Sequence, residues 1–214
     1  SHELRSPLSL IGGYAEMVRD ITWKDETKRC ANLDLIIRET NRMSEMVSDI
    51  MDYSQFHSGY LQLNIGDYDL CEIVETEVLH YEPIAHENHL FLRLERPKDE
   101  CMIQADALKI SQVIRNLLNN ATNHTQDGGT ITVAVTEEGK QYRVSVTNPG
   151  DPIPDEDRTL IWERYQRSQH QGARRQGTGI GLSIVSSILD AHGMSYGVDC
   201  ADGLTCFWFL WTYS

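Results

Sequence analysis

The chain has 214 residues, 40% hydrophobic and 24% charged, with a formal net charge of −13 at pH 7. That length holds one large domain or two modest ones, and the composition is that of an ordinary soluble globular chain. The negative excess argues against a nucleic-acid partner, which needs a basic stripe on the protein, and against a polybasic membrane surface.

The chain opens at Ser1-His2, with neither a basic leader nor an apolar one behind it. Its longest apolar stretch, around 207–211, is far too short to span a bilayer. Five cysteines form an odd set with no CxxC spacing, which fits a reducing compartment. Cys200 and Cys206 stand close enough to meet on neighbouring strands, yet neither a structural disulfide nor a zinc site is expected.

The first 57 or so residues carry almost no strand signal. Leu4, Leu8, Ile11, Ala15 and Val18 recur at spacings of four and three, one apolar stripe of a helix. Thr22, Trp23 and Lys24 interrupt it, and a second stripe follows at Leu33, Ile36, Thr40, Met43, Val47 and Ile50. Two such helices joined by a short turn make an antiparallel hairpin. Two helices cannot enclose a core, so the hairpin is expected to dimerise into a four-helix bundle. His57-Ser58-Gly59 ends the second helix, with Gly59 as a C-cap.

Beyond it, helices and strands alternate. Asp69 caps a helix running to about residue 86, and 90–94 is a short strand. An amphipathic helix over 107–123 carries Ile110, Val113, Ile114, Leu117, Leu118 and Ala121 on one face. Asp127-Gly128-Gly129 turns the chain into strands at 130–136 and 142–147, joined at Glu138-Gly139. A buried helix over 180–191 and strands near 195–200 and 205–212 complete the chain. The expected fold class is α+β, with a helical hairpin followed by a mixed sheet covered by helices on one face.

His2 falls opposite the first apolar stripe, with Ser6, Ser9 and Gly13, on a polar and open helical face. Glu3 is a candidate base or acceptor for one ring nitrogen, which would fix the tautomer and make the other nitrogen a better nucleophile. Pro7 cannot donate to the carbonyl of Glu3, so a kink is expected beside the histidine. By itself an exposed terminal histidine reads more readily as a solvated residue than as a nucleophile. A zinc-protease HExxH is excluded, because Ser6 stands where the second histidine belongs.

Asn116, Asn120 and Asn123 share one edge of the 107–123 helix. Asparagine is a poor helix-interior residue, so three together point to amides in use, toward a hard cation or phosphates. Gly177-Thr178-Gly179-Ile180-Gly181-Leu182 precedes a helix, where backbone N–H groups can approach an anion. It fits neither the dinucleotide fingerprint nor a Walker A loop. The polar segment 168–176 carries Arg174 and Arg175 and reads either as a lid over phosphates or as a loop with incidental arginines.

The string Ser1-His2-Glu3-Leu4-Arg5-Ser6-Pro7-Leu8 closely resembles the phosphoacceptor box of sensor histidine kinases. Gln112 through Ala121 resembles their N box, Ile161-Trp162-Glu163-Arg164-Tyr165-Gln166-Arg167 their F box, and the 177–182 glycines, closed by Ala191-His192-Gly193, their second glycine box. The first glycine box, Asn148-Pro149-Gly150-Asp151-Pro152-Ile153, resembles the family's Asn-x-Gly-x-x-Ile variant instead of its usual Asp-x-Gly-x-Gly. These boxes stand in family order over essentially the whole chain.

The resemblance implies a dimerisation and phosphotransfer hairpin at 1–58 and an ATP-binding α/β sandwich at 66–214. His2 would take the γ-phosphate of ATP with Glu3 assisting, and Ser6 occupies the position of the residue that orients water in the reverse, phosphatase reaction. Asn120 is the implied Mg²⁺ ligand, with Asn116 nearby. Asn123 stands where Lys is common and His124 where an aromatic is, on the adenine side. Asn148 would accept from the adenine amino group. Gly150, Ile153, Arg175, Gly177, Thr178, Gly179, Gly181, Leu182 and Thr205 complete the implied nucleotide site. Implied partners are a second copy and the receiver domain of a response regulator. The segment is expected to be the cytoplasmic part of a membrane-bound bacterial sensor, truncated at its N-terminus, with any membrane contact upstream. Asn148, Asn123 and His124 also keep open a non-catalytic dimeric scaffold with a degenerate pocket.

Overall fold

A computed structural model describes residues 2–57, 62–163 and 179–213, without the side chains of 2–4, 42, 45, 48–50 and 52–57. The chain divides into two compact units, Ser1–Ser54 and Gln55–Ser214.

The first unit is the helical hairpin. Helix α1 spans His2–Met17 and runs through Pro7 without a break. It continues as one π-helical turn, Val18–Thr22. The Thr22 hydroxyl donates to the Met17 carbonyl five residues back at 3.2 Å, the spacing of a π turn. Asn32 Nδ2 donates to the same hydroxyl at 3.1 Å, tying the turn to helix α2, Glu26–His57. Arg29 holds the Trp23 carbonyl at 2.9 Å, and Asp25 accepts from the Lys28 N–H at 3.1 Å at the start of α2.

Burial within the hairpin follows the sequence stripe at Ile36 and Met43 and departs from it at Leu33, Thr40 and Val47. Among the described side chains, Pro7, Thr22, Asn32 and Met46 are the buried ones, and residues 35, 36, 39 and 43 are half-buried. Leu33 and Val47, members of the expected stripe, remain 41% and 44% exposed, and Leu8 is 59% exposed. The covered side of α2 therefore runs through 32, 35, 36, 39, 43 and 46, while Leu33 and Val47 stay uncovered within one chain.

The second unit opens with strand β1, Gly66–Asp69, and helix α3, Leu70–Glu87. Then come β2, Phe91–Glu95, β3, Met102–Ala105, and α4, Ala107–His124. Strands β4, Thr130–Glu138, and β5, Gln141–Pro149, form a hairpin whose turn places Gly139 at φ 68°. A short α5, Asp157–Leu160, α6, Gly181–Ala191, and strands β6, Ser195–Ala201, and β7, Leu204–Thr212, follow.

The main sheet has the order β2-β4-β5-β7-β6, parallel between β2 and β4 and antiparallel elsewhere. Period-two alternation buries Ile131, Val133 and Val135 on β4, Val144 and Val146 on β5, and Phe207, Phe209 and Trp211 on β7. Helices α3, α4 and α6 supply the apolar counterpart, including Leu70, Val74, Ile110, Ile114, Leu117, Leu118, Ile184 and Ile188.

The paired strands β1 and β3, antiparallel from Gly66↔Ala105 to Asp69↔Met102, have no counterpart in the sequence reading. At four residues each they are too short for alternation to stand out. The cysteines are free; Cys200 pairs in register with Thr205, which puts Cys206 on the opposite face of the sheet, out of disulfide reach.

Candidate functional site

The asparagine-bearing helix is anchored at its start by Asp106. One carboxylate oxygen accepts from the Lys109 N–H at 3.2 Å, an N-cap, and the other from the Asn64 N–H at 3.0 Å. From that start Asn116, Asn120 and Asn123 come round to one half-buried edge of α4. Asn116 Nδ2 donates back to the Gln112 carbonyl at 3.0 Å, which holds its Oδ1 toward the first residue of α6. A Cβ at Gly181 would lie 3.1 Å from that oxygen. Gly181 thus allows the close approach of two helices. Gly179 has φ 67°, Ile180 is buried, and Leu182 is half-buried in the first turn of α6. Arg174, Arg175, Gly177 and Thr178 lie outside the described residues, as do Arg164 to Arg167 of the F box.

At the end of the sheet the buried phase of β5 and β7 turns polar. Asn148 continues the Val144–Val146 row and Thr205 the Phe207–Phe209–Trp211 row, and they are cross-strand partners, 2% and 5% exposed. Asn148 Nδ2 donates to the Pro149 carbonyl at 3.1 Å. No hydrogen bond to its Oδ1 comes from the described residues, so an acceptor is held ready there. A Cβ on Gly150 would sit 3.4 Å from both Asn148 Nδ2 and the His124 carbonyl, so the strand end runs close beneath the end of α4. Ile153 is half-buried, and its N–H faces Cys200 Sγ at 3.4 Å, next to Thr205 Oγ1 at 3.7 Å. The His124 side chain keeps an exposed edge, yet the protein around its ring removes enough water to hold its pKa below the ordinary histidine value.

The set offers an amide acceptor beside a closely packed glycine on the sheet, and helix-borne amides and a helix N-terminus on α4 and α6. The amide oxygens are donors a hard cation accepts, so the set fits Mg²⁺ as well.

Trp162 packs against the β6–β7 side of the sheet. Its ring meets Tyr196 edge-on at a 4.8 Å centroid separation and Phe207 at 5.7 Å, and its carbonyl accepts from the Ser186 hydroxyl at 3.5 Å. In the hairpin, His2 and Glu3 lie in the first turn of α1, their side chains outside the described set. Ser6 is exposed and lines a shallow open hollow with Arg5, Ser9 and Leu10.

One residue that carries the site went unassigned by sequence. His192, read only as the end of a glycine box, hydrogen-bonds the Ile188 carbonyl through Nδ1 at 2.8 Å and the Asp106 N–H through Nε2 at 3.2 Å. It joins the C-terminal end of α6 to the N-terminal end of α4. The signal available was a histidine in the last turn of a helix, where its ring can meet the free carbonyls.

Family models match both units. Residues 105–213 match the Histidine kinase-, DNA gyrase B-, and HSP90-like ATPase family, and residues 1–59 match the His Kinase A (phospho-acceptor) domain. The sensor histidine kinase TrcS of Mycobacterium tuberculosis is 33% identical over 213 residues, covering 97% of this chain and 41% of its own length. The sensor histidine kinase WalK of Bacillus subtilis is 29% identical over 206 residues, covering 95% of this chain and 34% of its own length. The chain thus spans between a third and a half of those relatives. Among solved structures, the histidine kinase AdeS of Acinetobacter baumannii shares the fold with a TM-score of 0.75 at 21% identity, covering 99% of this chain and 98% of that one. Histidine kinase ThkA, solved in complex with the response regulator protein TrrA, fits with a TM-score of 0.76 at 24% identity, covering 100% and 59%. With a phosphoacceptor hairpin ahead of an ATPase-family domain, both in family order, the chain belongs to the sensor histidine kinases of two-component systems.

Proposed function

We propose that the chain is an ATP-dependent protein histidine kinase that phosphorylates His2 and passes the phosphoryl group to an aspartate of a response regulator. The observation that carries this reading is the Asn148–Thr205 pair, two buried polar side chains in the phase of an otherwise apolar core. Asn148 Oδ1 takes no hydrogen bond from the described residues, which leaves it able to accept from an adenine amino group.

A ring nitrogen of His2 attacks the γ-phosphorus of ATP. The new N–P bond forms as the bond to the β,γ-bridging oxygen breaks, and ADP leaves. Glu3 holds the proton on the other ring nitrogen, fixing the tautomer. The regulator's aspartate oxygen then attacks the same phosphorus and releases the histidine. Asn120, with Asn116 beside it, would hold Mg²⁺, which supplies charge neutralisation on the phosphates. Gly179, Leu182 and the N-terminal turn of α6 face the phosphates, with Gly177, Thr178 and Arg175 of the lid. Asn148, Gly150, Ile153 and Thr205 take the adenine end, and His124 and Asn123 flank it. Most of the catalytic effect is positioning.

The exposed Leu8, Leu33 and Val47 row supports a homodimer through the hairpin, as does the match to the phosphoacceptor domain. ThkA, solved with a response regulator, supports the receiver-domain partner. Ser6 stands exposed where a water-orienting residue for regulator dephosphorylation would act. No helix among the described residues is long and apolar enough to cross a membrane. We place the segment on the cytoplasmic side of a longer membrane-bound sensor, as its relatives' name of sensor kinase supports.

Autophosphorylation with labelled ATP and Mg²⁺ tests this. Acid-labile label is expected on the chain and is expected to vanish in His2→Gln and Asn120→Asp. Failure of both labelling and nucleotide binding, in this chain and in one extended upstream, would leave a dimeric scaffold as the function.

A further inference from the structure

Two buried thiols lie outside every element of the nucleotide site. Cys71, in the first turn of α3, is 1% exposed, and Cys101, just before β3, is 2% exposed. They are thirty positions apart, yet one atom gathers them: Asp69 Oδ1 accepts from the Cys71 N–H and the Cys101 N–H, each at 2.9 Å. The Leu70 N–H donates to the Cys101 carbonyl at 2.9 Å, extending the β1–β3 ladder by one rung. Two nitrogens sharing one acceptor are no more than about 6 Å apart, which sets the two backbones side by side. Cys71 thus follows directly on the residue that bonds Cys101, and both thiols are buried there.

We propose that Cys71 and Cys101 are a latent disulfide site, closed by hydrogen peroxide and reopened by thiols. The Cys101 sulfur attacks one peroxide oxygen, the O–O bond breaks, and a sulfenic acid and water result. The Cys71 sulfur then attacks the sulfenic sulfur, the S–S bond forms, and a second water leaves. Two thiols lose two electrons and one peroxide becomes two waters.

Burial sets the rate. Desolvation pushes the Cys71 thiol up to about 12 and raises Cys101 as well, so little thiolate exists in the closed fold. Cys101 lies directly behind the exposed 98–100 loop, the short path for oxidant. The bond fastens that loop to the start of α3 and closes a chain loop of about thirty residues, which narrows the unfolded ensemble. The inference stands independently of the kinase reading.

The experiment uses the reduced full chain, with peroxide raised until the exposed Cys30 has reacted. The chain is then denatured, alkylated, digested and read by mass spectrometry. The expected product joins the Cys71 and Cys101 peptides. The oxidised chain should melt several degrees higher, revert on reduction with dithiothreitol, and show no shift in Cys71→Ser or Cys101→Ser. Recovery of both cysteines alkylated, separately overoxidised, or joined to other cysteines overturns the proposal.

Discussion

His192 Nε2 accepts the backbone N–H of Asp106 at 3.2 Å while its Nδ1 meets the Ile188 carbonyl at 2.8 Å. Only a neutral ring with its proton on Nδ1 satisfies both contacts. Asp106 in turn caps α4 and holds Asn64, so three segments distant in sequence meet at one node. His192→Phe leaves a mostly buried N–H without its acceptor, at a cost of about 1–3 kcal/mol. Urea unfolding of the second unit is expected to show that loss, with a smaller one for His192→Gln, whose amide oxygen accepts. Equal losses in the two variants would mean that packing, not the hydrogen bond, is what His192 supplies.

Gly181→Ala separates stability from binding. Alanine in a helix normally gains roughly 0.5–1 kcal/mol over glycine. Here the new Cβ meets Asn116 Oδ1 at 3.1 Å, so the carboxamide must shift by a few tenths of an ångström. Nucleotide affinity is expected to fall several-fold while the melting temperature holds or rises. Titration of a fluorescent ATP analogue, alongside thermal unfolding, reads both; unchanged affinity would show that Asn116 has no part in the site.

Met46 and Val47 are adjacent in sequence and opposite in consequence. Met46 is 4% exposed within one chain and Val47 44% exposed. Met46→Ala is expected to destabilise the hairpin by about 2–5 kcal/mol. Val47→Glu is expected to leave helix content intact and shift the chain from dimer to monomer in analytical ultracentrifugation. A dimer of undiminished affinity in Val47→Glu would move the interface elsewhere.

His124 gives stability a pH dependence. Desolvation holds its pKa below the ordinary histidine value, so the unfolded chain takes up this proton at higher pH than the folded one. The contribution is complete above the unfolded value of about 6.5 and is lost as pH falls from there through the folded value. His124→Phe is expected to flatten the decline in melting temperature between about pH 7.5 and about pH 5.5. The seven other histidines act on both chains alike. Parallel curves would refute the assignment.

The long elements were legible because their periods are strong. Helix α4 follows its apolar face and its Asp106 cap, and β4, β5 and β7 follow their alternation. Even the proposed adenine end has a sequence trace, since Asn148 and Thr205 fall in the buried phase of their strands. What periodicity could not carry were contacts made in space. The β1–β3 pair, the meeting of Gly181 with Asn116 and the reach of His192 to Asp106 all depend on neighbours far along the chain.

The borders of the main sheet restrict how copies of this chain can associate. One border is β2, only five residues long, with Arg93 and Glu95 in an exposed ion pair at 2.9 Å. The other is β6, where the exposed Asp199 is engaged by Arg143 of β5 at 3.1 Å. Short, charge-bearing outer strands resist continuation by a neighbour's backbone. Crowding many copies together should therefore not template fibrils or sheet-to-sheet chains through this unit, which leaves self-association to surfaces built from side chains.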